Sequence, residues 1–486
     1  MGQITKDKAT IKEIEQYKKM TGKPVPALIA GLALPAIISM LTTMIYNLVD
    51  AFFVGRLGTS ASAAIGIVMS LQAIFQAFGF MFGHGSGSLI GRYESEGKKD
   101  EADRCLSTAF LAGLVVSVIL MTAGLIFRKQ IVVLMGSIGD IIPYSEAYAF
   151  YILAAGPGFV ISCILNNVMR YEGKAFYAMI GLVSGGVLNM IGDPIFMFGL
   201  GLGIDGAGLS TMISQYISCG ILLYMFLSGK TIARISPETV LKKGNRKRIL
   251  KDVFRIMKTG FPSLIRQGLN SVSTMTLNIC AGPYGAPGIA AMTIAGRVMM
   301  FMGSVLIGVG QALQPVSAFN YGAKKYKRLR ESFMFTWITG TAMMLVMASM
   351  GAIFSDRIVR VFIDDPDPAA IAATVAAGTP ALRCMCVAII VQPVSVLSNM
   401  IFQSIGRSRV ASFIATLRSG ICYIPALLIL PNLFGIFGLQ SSQMIADILA
   451  SIISAPFMIR FFMKEVPDRD ERTAMDEQID KSLLLE

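Results

Sequence analysis

Twelve apolar runs, each about 20–28 residues long and fenced by short bursts of charge, decide what this chain can fold into. A run of that length spans a bilayer as a helix, which satisfies its own backbone hydrogen bonds where lipid offers none. The runs fall at 25–55, 61–90, 105–127, 145–169, 176–200, 206–228, 253–281, 287–315, 329–354, 371–403, 408–431 and 436–463. Only 15% of the 486 residues are charged and 54% are hydrophobic, whereas soluble domains carry about 25% charge. The expected fold class is an all-α membrane protein of twelve transmembrane helices. Internal Gly and Pro fit that reading, because neighbouring membrane helices re-satisfy a broken backbone. Seven Cys in such a length exclude a disulfide scaffold.

Basic residues give the orientation. Most of the 43 Lys and Arg lie before the first run, in the even-numbered connections and after the last run. The odd-numbered connections carry Arg56, Arg128, Lys129, Arg357 and Arg360. This bias predicts a multi-pass plasma (inner) membrane protein with both termini in the cytoplasm. No signal peptide with a cleavage site is visible in the first 24 residues. The net charge of +13 is then read as cytoplasmic loops facing anionic membrane lipid, and no nucleic-acid partner is expected.

The longest basic connection, containing Lys242-Lys243-Gly-Asn-Arg246-Lys247-Arg248, falls between runs six and seven. The sequence repeats across it. Pro35, Gly55, Gly58, Ala63, Ala64 and Gly83 return 227 residues later as Pro262, Gly282, Gly285, Ala290, Ala291 and Gly310. Gly97-Lys98-Lys99 has a near counterpart in Gly322-Ala323-Lys324-Lys325, and Gly203 and Gly206 match Gly435 and Gly438 at an offset of 232. Six runs per half is an even number, so both halves start on the same side and form parallel repeats, as in secondary transporters. The expected organisation is a cytoplasmic segment 1–24, an N-lobe bundle 25–228, a basic linker 229–252, a C-lobe bundle 253–463 and a cytoplasmic tail 464–486. No G-x-x-x-x-G-K-[ST] motif is present. Gly83-His84-Gly85-Ser86-Gly87 has no preceding strand and reads as close helix packing.

Pro35 with Tyr46-Asn-Leu-Val-Asp50-Ala-Phe-Phe-Val-Gly55, then Leu188-Asn189-Met-Ile-Gly-Asp193-Pro194 and Gly203-Ile-Asp-Gly206-Ala-Gly208, resembles the multidrug and toxic compound extrusion family. The resemblance covers nearly the whole chain in span count, repeat and motif order. It implies two pseudo-symmetric six-helix bundles and alternating access. The function it implies is antiport: an amphipathic, often cationic, organic compound leaves as H⁺ or Na⁺ enters. A flippase for a lipid-linked saccharide, in the same superfamily, is the alternative.

Ionisable groups inside membrane spans are costly and point to function. Asp50 lies roughly 9 Å, and Asp193 roughly 15 Å, from the outer end of its span at helical rise. Tyr46 and Asn189 each precede one of them by four residues, on the same helix face. Thr211 enters at similar depth. Two carboxylates, an amide oxygen and a hydroxyl suit either a Na⁺ cage or a proton kept on a carboxylate withdrawn from water. The resemblance places a cation site at the positions of Asp50, Asn189, Asp193 and Thr211, with Tyr46 beside it. The C-half has Leu277 where Asp50 repeats, so no second cation site is expected there. It carries Arg266, Arg297, Arg383 and Arg418 inside its spans, with Asp447 as the one acid able to pair with them. At least one of these arginines is expected to line the cavity, as are Gln72, Gln76, Asn166, Asn270 and Gln311 among the many buried amides. Met (31) and Phe (29) suit an adaptable binding surface. His84 is the single His, so no metal set, cofactor or catalytic pair is expected, and the chain is read as a non-enzymatic monomer.

Overall fold

The computed structural model describes residues 2–236, 246–363 and 368–483, and throughout these the regular structure is helical. A first helix, α1 (Gly2–Gly22), precedes the bundle. The N-lobe comprises α2 (Val25–Gly55), α3 (Thr59–Ser95), α4 (Lys99–Ile126), the short α5 (Arg128–Leu134), α6 (Ile141–Tyr171), α7 (Ala175–Pro194) and α8 (Gly203–Leu227). The C-lobe comprises α9 (Arg246–Ala281), α10 (Gly285–Gly322), α11 (Tyr326–Ile353), the short α12 (Ser355–Val361), α13 (Pro368–Ser404), α14 (Ser408–Thr416) and α15 (Tyr423–Arg460). A last helix, α16 (Ala474–Leu483), follows. Lys242 to Asn245 of the basic run lie outside the described residues.

Ten helical stretches among the described residues are long and apolar enough to cross a membrane. The last of them, Ser408–Glu465, contains both final spans, which part at Gly435 with φ 60°. The seventh predicted span lies within α9, which is too polar to join the ten. Its second half carries Arg266, Gln267, Asn270, Ser273, Thr274 and Asn278. The helix also begins seven residues before the predicted start at 253.

The internal repeat is written into the backbone. Gly58 (φ 116°) and Gly285 (φ 69°), 227 residues apart, each turn the chain between the first and second helices of a lobe in a conformation that favours glycine. Gly203 (φ 56°) and Gly435 (φ 60°), 232 apart, each open the sixth helix of a lobe. A Cβ at Gly206 would strike the backbone of Phe196 and Met197, and one at Gly438 the backbone of Leu430 and Pro431. The left-handed turn at Gly97 (φ 71°) is repeated by Lys324 (φ 56°), so these two correspond, rather than Gly97 and Gly322.

The lobes are sealed on the side bearing both termini. A Cβ on Gly260 of α9 would meet the Met81 carbonyl of α3, and one on Gly85 the Ile256 carbonyl. Gly83 packs on Asn167 and Cys163, and Gly87 on the Tyr171 ring, so the glycine run serves helix contact. Ser88 Oγ donates to the Ser404 carbonyl at 2.7 Å, Arg92 Nη1 to the Ile405 carbonyl at 3.2 Å and Arg255 Nη1 to Tyr93 Oη at 2.8 Å. Helix α1 straps the same face. Lys19 Nζ reaches the Gly173 carbonyl of the N-lobe at 3.0 Å, and Arg328 Nε of the C-lobe reaches the Met20 carbonyl at 3.0 Å. Tyr17 Oη donates to Asp476 Oδ1 of α16 at 2.9 Å. Among the described residues, the interlobe hydrogen bond nearest the far side joins Gln267 Nε2 to Gln76 Oε1 at 2.6 Å, midway along α3. Beyond it the far halves stand apart.

Candidate cation pocket and central cavity

The two span acids come together. Asp50 on α2 and Asp193 at the end of α7 are near enough for each to feel the other's charge. Tyr148 of α6 donates to Asp50 Oδ2 at 3.4 Å and reaches Thr211 of α8 as well. Asn189 Nδ2 lies 3.1 Å from Asp193 Oδ1 and 3.2 Å from both Ser210 Oγ and Thr211 Oγ1. Asn189 thus turns its amide nitrogen to the acid, where an amide oxygen was expected. Tyr46 stands beside Asp50, and its hydroxyl is in reach of Gln72.

The local sequence explains the geometry. Pro194 cannot donate a helical hydrogen bond, and a single π-helical turn, Ile195–Gly199, follows it directly. A Cβ at Gly192 would meet Ser210 Oγ at 2.5 Å, so glycine lets α7 and α8 close around Asp193. Asp193 is fully buried. Two oxygens, Asp50 Oδ1 and Asp193 Oδ2, are buried with no hydrogen-bond partner. Two neighbouring carboxylates, each with one unanswered oxygen and no Lys or Arg bonded to them, call for a proton or a small cation. The surrounding donors are hard oxygens of Thr211, Ser210 and Tyr148. That set fits H⁺ or an alkali ion, and among the described residues no cluster of three or more His, Cys, Asp or Glu exists to hold a metal.

A separate cavity of about 270 Å³ lies between the lobes, near the low end of drug-sized sites. Tyr46 lines it, so one side chain touches both cavity and acid pocket. Of the predicted lining residues, Gln76, Asn166, Arg266, Gln311 and Arg418 are there. Gln72, Asn270, Arg297 and Arg383 are not. Gln72 is turned to Tyr46. Asn270 and Arg297 are exposed on other faces of α9 and α10. Arg383 donates from Nε to Ser355 Oγ of α12 at 3.1 Å, near the far end of the lobe. Residue counting fixes depth along a helix but leaves the direction around its axis open, and direction decided these four.

Three functional candidates were missed. Tyr148 and Ser210 belong to common residue types in membrane helices and carry no distinguishing signal. Arg170 falls one residue past the predicted end of run four at 169, yet α6 continues to Tyr171 and the side chain is buried in the cavity wall. Its guanidinium donates to Gln311 Oε1 and Asn166 Oδ1. Asp447 is fully buried and pairs with Arg418, Nε to Oδ1 at 3.0 Å, while Gln392 and Gln443 each donate to its other oxygen at 2.9 Å.

The "Multidrug export protein MepA" of Staphylococcus saprophyticus is 27% identical over 459 residues, covering 93% of this chain and 95% of that protein. Among solved structures, MATE in complex with MaL6 superposes with a TM-score of 0.85 at 24% identity, over 92% of this chain and 98% of that one. An outward-facing multidrug resistance MATE family transporter gives 0.84 at 24% identity, over 92% and 97%. The MatE family model matches twice, over residues 35–195 and 262–429. Both matches begin at a repeat-related proline, Pro35 and Pro262, and together they cover well over half of the sequence. The chain belongs to the MatE family of multidrug and toxic compound extrusion transporters.

Proposed function

We propose that this chain is a secondary active exporter of amphipathic organic compounds, driven by inward H⁺ or Na⁺ and needing no other cofactor. The observation that carries the reading is the pair of unanswered carboxylate oxygens, Asp50 Oδ1 and Asp193 Oδ2, buried one tyrosine away from a cavity between two repeat-related lobes. Loading of a cation there changes the charge of the N-lobe beside the cavity, giving the ion a differential interaction with two lobe arrangements. The nitrogen that Asn189 presents to Asp193 favours a proton over Na⁺.

With the termini in the cytoplasm, as the basic loops favour, the seal lies on the inner side and the cleft opens outward. Asp50 and Asp193 then sit in the outer half of the membrane, where an entering ion arrives first. The working unit in this reading is a monomer in the plasma membrane. The MatE match in both halves supports export over flipping of a lipid-linked saccharide. Efflux of ethidium, rhodamine 123 and fluorescein from proteoliposomes, with H⁺ and Na⁺ gradients imposed separately, tests the reading. One gradient is expected to accelerate efflux of at least one dye. No acceleration by either gradient for any dye refutes it.

A further inference from the structure

Three guanidinium groups reach the one central cavity: Arg170 from the N-lobe, and Arg266 and Arg418 from the C-lobe. No acidic side chain lines it. Only Arg418 has a carboxylate, Asp447, and that group lies fully buried behind it with both oxygens engaged. Arg170 and Arg266 rest on neutral acceptors. Arg170 is held by Gln311 and Asn166, and Arg266 Nη1 lies 3.3 Å from Asn399 Oδ1. Amide oxygens orient a guanidinium without neutralising it. Arg170 Nε, in a side chain 95% buried, has no partner at all. His84, the one His, also lines the cavity, with Nδ1 3.0 Å from Ser263 Oγ.

The cavity floor therefore carries an excess of positive charge that nothing in the wall cancels. Uncompensated guanidinium in a membrane interior is costly, and the cost is recovered only if water or an anion answers it. Guanidinium presents paired N–H donors that match a carboxylate or phosphate. The wall around the floor is largely apolar, with Phe80, Phe159, Met400 and Ile307. That arrangement turns round the expectation of cationic substrates.

We propose that this cavity binds amphipathic organic anions. The carboxylate or phosphate head sits between Arg170 of one lobe and Arg266 with Arg418 of the other, and the apolar body lies on the Phe and Met wall. This rests on the exporter reading and names the class of compound its cavity selects. Because the grip comes from both lobes, moving the lobes apart at this level separates Arg170 from Arg266 and loosens the anion.

The test is equilibrium binding to the full-length protein in neutral detergent, with no ion gradient, followed by dye fluorescence polarisation. Fluorescein and rhodamine 123 share a xanthene body and carry opposite charge. Fluorescein is expected to bind about tenfold or more tightly than rhodamine 123, the worth of one charge-assisted contact. Arg266→Gln is expected to lose about that factor for fluorescein with rhodamine 123 unchanged, and Arg266→Lys to restore part of it. Arg170 is buried between lobes, so Arg170→Lys, which keeps the charge and loses the fork, serves in place of a truncation and weakens fluorescein less than Arg266→Gln. Displacement by naphthoate identifies a free organic anion as the source of the head, and displacement by dihexanoyl phosphatidate alone a lipid. Equal affinity for the two dyes, or unchanged fluorescein binding in Arg266→Gln, overturns the proposal. Tight fluorescein binding without gradient-driven efflux of any dye leaves the anion site standing and sinks the exporter reading instead.

Discussion

Gly260→Ala places one methyl group where the two lobes touch most closely. The new Cβ would fall on the Met81 carbonyl, a backbone atom of α3 that no rotamer change can move aside. Overpacking of this kind costs about 1–3 kcal/mol. The contact is between lobes, so the penalty applies to the arrangement sealed on the terminus side and largely spares one in which α3 and α9 have parted. The helix-propensity gain of alanine over glycine, about 1 kcal/mol, is common to both and cancels. The ratio of sealed to opened molecules should therefore fall by about 5- to 150-fold. Spin labels at Lys98 and Lys327, on the terminus side of the two lobes, and at Thr59 and Ile289, on the far side, read this in a background without native cysteines. The variant is expected to lengthen the first distance and shorten the second. Gly220→Ala is the control, since a Cβ there meets nothing within 4 Å. Distance distributions unchanged from wild type in Gly260→Ala would refute the reasoning that this crossing is part of the seal.

Asp447→Ala strips the carboxylate from Arg418 and leaves Gln392 and Gln443 without an acceptor; thermal unfolding in detergent should show a loss of about 3 kcal/mol, with a smaller loss for Asp447→Asn. Gly435→Ala forces a side chain into a left-handed turn at the junction of the last two spans and should cost about 1–2 kcal/mol by the same measurement. Burial alone would raise the Asp476 carboxyl, but hydrogen bonds from the Thr473 N–H, Lys325, Tyr17 and the Thr473 hydroxyl hold it below the usual carboxylate range. A depressed folded-state value means the strap between α1 and α16 is at full strength above pH ~4 and is lost as pH falls through that lowered value. Hydrogen exchange of α1 should accelerate over that acidic window, and in Tyr17→Phe at neutral pH.

The architecture was legible because lipid permits so few solutions. Long apolar runs, glycines at a constant spacing and the sidedness of Lys and Arg each follow from the bilayer, and the positive φ values at Gly58, Gly285, Gly203 and Gly435 bear the repeat out residue by residue. Legibility failed where a helix faces water inside the protein. The far half of α9 is polar enough to obscure its length, and its polarity belongs to the cleft it borders. At the acid pocket, Asp50 and Asp193 stood out because a carboxylate in a span is expensive. Tyr148 and Ser210 complete the pocket from helices that sequence alone does not bring alongside. In the cavity, Arg266 and Arg418 face inward while Arg297 and Arg383 do not, a distinction set by rotation about the helix axis. Arg170 was passed over because α6 runs deeper than its apolar stretch.

The most direct test of the central claim, that Asp50 and Asp193 carry the driving ion, is dye efflux from proteoliposomes under whichever gradient drives the wild-type protein. Asp50→Asn and Asp193→Asn keep the shape of each side chain and remove its capacity to hold a proton or balance a cation. Size-exclusion profiles establish that both variants are folded, and dye binding without a gradient establishes that the cavity is intact. The account predicts that each variant loses the gradient-driven component of efflux. Wild-type acceleration by the gradient in both variants would contradict it.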